Sequence, residues 1–132
     1  MPEPEKLWYT ETHEWVHLEN DGSQQIATVG ITAFAVEQLT DIVYLELPKV
    51  GRQLEAGEEF GEVESVKAVS PLYCPVSGTV IAVHDDLPNH LEKLSQDPYG
   101  EGWMIRLAVR DPQPLERLLT YEQYQKQCAE GA

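Results

Sequence analysis

Along most of this chain, short apolar runs rich in β-formers are broken by turn residues every few positions. Between Tyr9 and Ala82 the breaks are frequent. Asn20-Asp21-Gly22-Ser23 separates a segment around Trp15 and Val16 from Ile26 to Ile31, which predicts a hairpin. Ile42 to Leu47 is a further strand that stops at Pro48, and Ala56-Gly57 and Ser77-Gly78 mark turns flanking Phe60 to Val69 and Val80 to Val83. Later, Trp103, Ile105, Leu107 and Val109 alternate with Met104, Arg106, Ala108 and Arg110, the period of a strand with one buried face. Six or more strands are expected.

Helices are minor in this pattern. Thr32 reads as the cap of a short helix carrying Phe34, Val36 and Leu39. After Asp111-Pro112, Leu115, Leu118 and Leu119 have helical spacing, and Thr120 with Gln123 three positions on has the form of a capping box. Tyr121, Tyr124 and Cys128 follow at i, i+3 and i+7. A C-terminal helical segment, about 113–129, is expected to lay that stripe on the sheet and leave Glu122, Gln125 and Lys126 wet. The fold class is all-β with small helical additions, a sandwich or small barrel.

Composition narrows what such a fold does. With 132 residues, 42% of them hydrophobic, the chain has material for one compact domain over 1–132. Nine Lys and Arg against 23 Asp and Glu leave a net charge of −14, which argues against nucleic acid and anionic membrane and favours basic proteins or neutral ligands as partners. No apolar run approaches the ~20 residues of a membrane span, and Glu3 and Glu5 stand where a targeting peptide is basic. A cytoplasmic protein is expected. Cys74 and Cys128 fall 54 positions apart with no C-x-x-C, so neither a disulfide framework nor a thiolate metal site is encoded, and both read as inert thiols.

His13-Glu14-Trp15-Val16-His17 matches H-E-x-x-H, which on a helix places two imidazoles on a zinc ion beside a general base. Trp15 and Val16 favour strand, however, and a turn follows three residues after His17. In a strand the two imidazoles share a face about 13 Å apart, at ~3.3 Å per residue, too far for one metal. A zinc hydrolase is therefore the remote reading, and no metal is expected.

Lys67, one of five lysines, is embedded in the apolar run Phe60 to Ser70. A buried lysine needs a partner, so an exposed tip between two antiparallel flanks is the more economical arrangement. Val66-Lys67-Ala68 nevertheless lacks the Asn-Gly or Gly-Gly of an easy turn, and one continuous strand stays open on the residues alone.

Several segments carry a resemblance. Tyr9-Thr10 with His13-Glu14-Trp15, Ala27 to Thr32, Asp41-Ile42-Val43, Glu46-Leu47-Pro48, Val50-Gly51, Gly61 to Ala68, Pro75 to Gly78 and Asp97 to Trp103 occur in order. They resemble the H-protein family of the glycine cleavage system, lipoyl carriers, from about Leu7 to the C-terminal helices. The resemblance implies a barrel-sandwich hybrid of lipoyl-domain type, with a short internal helix, C-terminal helices and a lipoyl hairpin around 60–76. It implies lipoic acid in amide linkage on Lys67, and a carrier with no catalytic residues of its own.

The partners implied are the pyridoxal-phosphate glycine decarboxylase (P-protein), the folate-dependent aminomethyltransferase (T-protein) and dihydrolipoyl dehydrogenase (L-protein), between which the arm shuttles an aminomethyl unit. A lipoate ligase or a lipoyl or octanoyl transferase is implied as the modifying enzyme. Glu14 and Thr12 match positions lining the family's arm cleft, where a carboxylate holds a protonated amine by a charge-assisted hydrogen bond. The chain departs from the family at Pro71, where many members are acidic, and at His90 to Ser95, where an Asn-Pro-x-Leu-x-Asn pattern is largely lost. The nearest alternative is a relative whose arm relays acyl or lipoyl groups in lipoate supply. Biotin carriers usually set their lysine between methionines, and here the neighbours are Val66 and Ala68.

Overall fold

The structure is a computed structural model and describes residues 4–110 and 118–130. Strands β1 (Trp8–Tyr9), β2 (Glu14–Asp21), β3 (Gln24–Ile31), β4 (Ile42–Glu46), β5 (Gln53–Leu54), β6 (Glu59–Ser65), β7 (Val69–Tyr73), β8 (Gly78–Val83) and β9 (Ile105–Val109) form two antiparallel sheets. The larger runs in the order β1-β2-β3-β9-β8-β5, the smaller β4-β6-β7. The inner faces of the two sheets share one core. Val16, Val29, Ile31, Val80, Ile105 and Leu107 from the large sheet bury with Leu45, Phe60, Val63 and Leu72 from the small one. No described helix is long and apolar enough to cross a membrane.

The alternation of each strand explains this core, and its breaks explain the exceptions. In β6, Phe60 and Val63 are both buried although three residues apart, because the register with β7 shifts between Glu59 and Gly61. Gly61 has no Cβ to spare there; one would lie 2.1 Å from the Glu46 carbonyl oxygen. At the start of β9 the expected alternation fails. Met104 is buried beside Ile105, and Trp103 stands outside the strand, half-buried, stacked on His84 at 4.7 Å with the Arg106 guanidinium 5.0 Å from its ring centroid.

Helix α1 (Ala33–Leu39) is capped as expected by Thr32, whose hydroxyl accepts from the Ala35 N–H at 3.2 Å. It ends at Thr40 and Asp41, whose φ of 47° and 31° turn the chain sharply into β4. Helix α2 (Glu92–Gln96) is short and buries Leu94. Helix α3 (Tyr121–Ala129) opens on the Thr120–Gln123 capping box, both of whose hydrogen bonds form.

One expectation at this end is corrected. Leu118 and Leu119 are not helical: Leu119 exchanges backbone hydrogen bonds of 2.8 and 2.7 Å with Tyr9, supplying the partner that the edge strand β1 would otherwise lack. Residues 113–117 of the expected helical segment, Leu115 among them, lie outside the described residues. The stripe of α3 lies on the large sheet as expected, at its β1–β2 edge and apart from the main core. Tyr124 buries with Leu7, Tyr9 and Trp15 in a second apolar cluster, with Tyr121 and Cys128 at its margin, while Glu122, Gln125 and Lys126 face water.

Candidate functional site

Strands β6 and β7 pair from Glu59↔Tyr73 to Glu64↔Val69, and the chain reverses at Ser65-Val66-Lys67-Ala68. The open choice between tip and continuous strand is thus settled as a tip. No residue in this turn has positive φ, so it is not one of the glycine-dependent hairpin turns. Ser65 closes it instead. Its N–H donates to the Ala68 carbonyl at 2.8 Å, and its hydroxyl accepts from the Ala68 N–H at 3.1 Å. From outside the hairpin, the Val66 N–H donates to the Asp41 carbonyl at 3.2 Å, tying the tip to the corner after α1.

Lys67 is exposed at this tip, and no hydrogen bond or ion pair holds its ammonium among the described residues. Its neighbours are exposed too, Val66 at 74% and Val69 at 59%. Acylation of that nitrogen would therefore break no contact and bury no charge. A covalent arm fits the position. Ser65 is the residue that reasoning from the sequence passed over, and the signal was present: serine is favoured at the first position of a common turn that needs no glycine.

Beside the hairpin lies a cleft of about 270 Å³. One wall is the segment Thr12, His13 and Glu14; another is α1 with Phe34, Ala35 and Gln38; the third is the hairpin itself, through Val63, Ser70, Pro71 and Leu72. Pro71, on an edge strand that tolerates a missing N–H, gives that wall an apolar ring where a carboxylate was the alternative. Glu14 is 1% exposed and its carboxylate accepts from Thr12 Oγ1, from Thr10 Oγ1 at 2.7 Å and from the Tyr73 N–H at 3.4 Å. Burial outweighs these bonds and pushes its carboxyl up to about 7. The structure therefore brings Glu14 and Thr12 together at one cleft, with β7 of the Lys67 hairpin as its wall.

The two histidines of H-E-x-x-H separate. His13 precedes β2 at a φ of 73°, rather than sharing a strand face with His17, and lines this cleft. His17 pairs with Glu19 and lines a different groove of about 640 Å³, between the outer face of the large sheet and Tyr99 to Trp103. Cys74 is buried, its thiol donating to the Val76 carbonyl and pushed up to about 12 by burial, as befits an inert thiol.

Residues 7–131 match the family described as Glycine cleavage H-protein. The chain belongs to this glycine cleavage H-protein family. It is 56% identical over 129 residues to the glycine cleavage system H protein of Rhodopirellula baltica, covering 98% of this chain and 97% of that one. To the corresponding protein of Symbiobacterium thermophilum it is 48% identical over 128 residues, 97% of each. A crystal structure of a glycine cleavage system H protein from Mycobacterium marinum superposes with a TM-score of 0.82 at 36% identity, over 98% of this chain and 99% of that one. The lipoyl-domain-like hybrid fold expected from the resemblance is thereby borne out. Its function is that of the glycine cleavage system's H protein, a carrier component without catalysis of its own, working with that system's other proteins.

Proposed function

We propose that Lys67 carries the lipoyl group of this family member in amide linkage on Nζ, and that the loaded arm folds back into the cleft at Glu14 and Thr12. The observation that carries the proposal is the presentation of Lys67, an unpartnered ammonium on an exposed turn that Ser65 and Asp41 hold in place. A rigid tip offers a modifying enzyme one defined lysine and keeps the other four out of the same geometry. The group itself, when bound, supplies a disulfide that takes up a one-carbon amine unit with two electrons and gives both up again.

The chain's own residues do the rest. The hairpin fixes the origin of the arm, so that tethering raises the concentration of its reactive end at each partner site. Glu14 meets a protonated amine with a carboxyl already inside the cleft and already oriented by Thr10, Thr12 and the Tyr73 N–H. The incoming positive charge favours the ionised carboxylate that burial disfavours, so a proton leaves Glu14 as the amine arrives. Glu14 thereby selects an amine-bearing arm over a neutral one.

In this reading the partners are the P-, T- and L-proteins together with a lipoate ligase or a lipoyl or octanoyl transferase, and the setting is the cytoplasm. The −14 charge suits fast, salt-sensitive encounters with basic faces on those enzymes. Intact mass after expression with lipoate tests the attachment. One lipoyl group is expected on the wild type and none on Lys67→Arg; an unmodified wild type, or a modified Lys67→Arg, overturns it.

A further inference from the structure

One polar chain links the C-terminal helix to the cleft. Thr32 Oγ1 is fully buried and already accepts from the Ala35 N–H, so its own proton needs an acceptor, and the Tyr124 oxygen lies 2.6 Å away. Tyr124 then accepts from Thr32, and of the two groups its own proton can reach, His13 Nδ1 at 2.7 Å and the Cys128 sulfur, the imidazole nitrogen is the stronger acceptor. A neutral imidazole that accepts at Nδ1 carries its hydrogen on Nε2. Burial keeps His13 on the neutral side by lowering its pKa from the usual value.

The ring is held by two aromatic neighbours and by its backbone. Phe34 lies 5.1 Å from it and the Tyr124 ring 5.6 Å, edge-on. The backbone at His13 takes a φ of 73°, held by its N–H on the Thr10 carbonyl and by its carbonyl on the Thr32 N–H. Positive φ is uncommon for a non-glycine residue, though less so for histidine than for most, and these two backbone hydrogen bonds hold it there. Here the constraint turns the imidazole toward Tyr124 while it still lines the cleft.

We propose that Tyr124 is a positioning residue of the arm cleft: its hydroxyl, between Thr32 and His13, holds the His13 imidazole with Nε2–H as the donor available to the cavity. This rests on the reading of that cavity as the arm's docking site. The cleft then offers a loaded arm two fixed partners, the Glu14 carboxylate for an amine and the His13 N–H for an acceptor atom. It also gives helix α3, which supplies none of the cleft's lining residues, a part in the carrier's work.

Imidazole nitrogen shifts of the full chain, read by NMR without the lipoyl group, test the arrangement independently of activity. In the wild type the His13 Nδ1 signal is expected at the unprotonated position and Nε2 at the protonated one. Tyr124→Phe keeps the ring that stacks on Tyr9 at 4.7 Å and loses only the hydroxyl. It is expected to move both signals toward a tautomer mixture, with the helix content unchanged, while Thr32→Ser leaves them as in the wild type. A wild type protonated on Nδ1, or signals unmoved in Tyr124→Phe, overturns the proposal.

The second measurement is the rate at which an aminomethyl-loaded arm loses its unit to water, compared in wild type, Tyr124→Phe and Glu14→Gln. Loss is expected to quicken about fivefold in Tyr124→Phe, the worth of one neutral hydrogen bond. Faster loss in Glu14→Gln with no change in Tyr124→Phe overturns the positioning role alone. No change in either variant overturns the reading of the cleft, and the role proposed for Tyr124 with it.

Discussion

Among the described residues are two long hairpins built on different principles. In β2–β3 the strands pair without interruption from Glu14↔Ile31 to Asp21↔Gln24, and the two-residue turn takes its shape from Gly22 at a φ of 65°. In β6–β7 the register shifts at Gly61, the turn has no glycine, and it is closed by the Ser65 hydroxyl and braced by the Asp41 carbonyl. The first hairpin is specified by its own backbone chemistry; the second depends on a side chain and on the rest of the fold. This difference tracks their use. A turn that needs no glycine can place Lys67 between two ordinary residues and still show a defined shape to an enzyme.

Substitutions can break this contrast, and the largest effect belongs to Gly61→Ala. The new Cβ would come within 2.1 Å of the Glu46 carbonyl oxygen, a backbone atom that cannot swing aside, so β4 and β6 must part. A loss on the order of 4 kcal/mol is expected, at the upper end for single substitutions. Urea unfolding of the lipoyl-free protein measures it; a loss below that of Gly22→Ala would show that the bulge in β6 absorbs a side chain.

Glu14 joins the two hairpins, standing at the start of β2 and accepting from the Tyr73 N–H of β7. Its carboxyl titrates near 7 when folded against 4.5 when free, so between these values the folded state holds a proton that the unfolded state has lost. Stability then falls as pH rises through that window, by up to about 3 kcal/mol, and is level above it. His13, whose pKa is lowered, contributes with the opposite slope, so the difference between wild type and Glu14→Gln isolates the carboxyl. Urea midpoints from pH 4.5 to 8 are expected to converge at the acid end and separate at the basic end, with the glutamine variant the more stable there.

What could be read from the residues divides along the same line. Gly22 announced its hairpin, Thr32 and Thr120 their helices, and the alternation of β9 its buried face, because each signal is local. The Lys67 tip is not legible in its own residues, because its closure combines a serine hydroxyl with a carbonyl 25 positions upstream of Val66. Leu118 and Leu119 misled for a related reason: helical spacing was outweighed by the unpaired backbone of Tyr9. Of the site, Lys67 stands out from its own apolar surroundings, while its lipoyl role and the cleft roles of Glu14 and Thr12 come from the family resemblance, and spacing alone does not bring His13 to Tyr124, 111 positions away.

Gly22→Ala carries the third effect. Nothing lies within 4 Å of a Cβ there, so the cost is purely that of holding an L residue at a φ of 65°, about 1 kcal/mol. Lipoylation of Lys67 is expected to proceed as in the wild type, because this turn belongs to the other hairpin. A slowed reaction would mean that the tip is coupled to the whole sheet, and the division between the hairpins would fail.

Ser65→Ala has the smallest effect on stability and the most informative one. The hydroxyl's partner, the Ala68 N–H, belongs to an exposed residue, so water replaces the lost bond and the global cost stays about 0.5–1 kcal/mol. The turn keeps its Ser65 N–H to Ala68 carbonyl bond and the brace from Asp41, but its far side opens. Lys67 then samples several placements, and the initial rate of lipoylation is expected to fall severalfold while Gly22→Ala, of equal or greater cost in stability, leaves it unchanged. Mass spectrometry over a time course with the modifying enzyme limiting reads the two rates side by side. Equal rates in both variants would mean that the enzyme reshapes the tip on binding, and that the serine serves the fold alone.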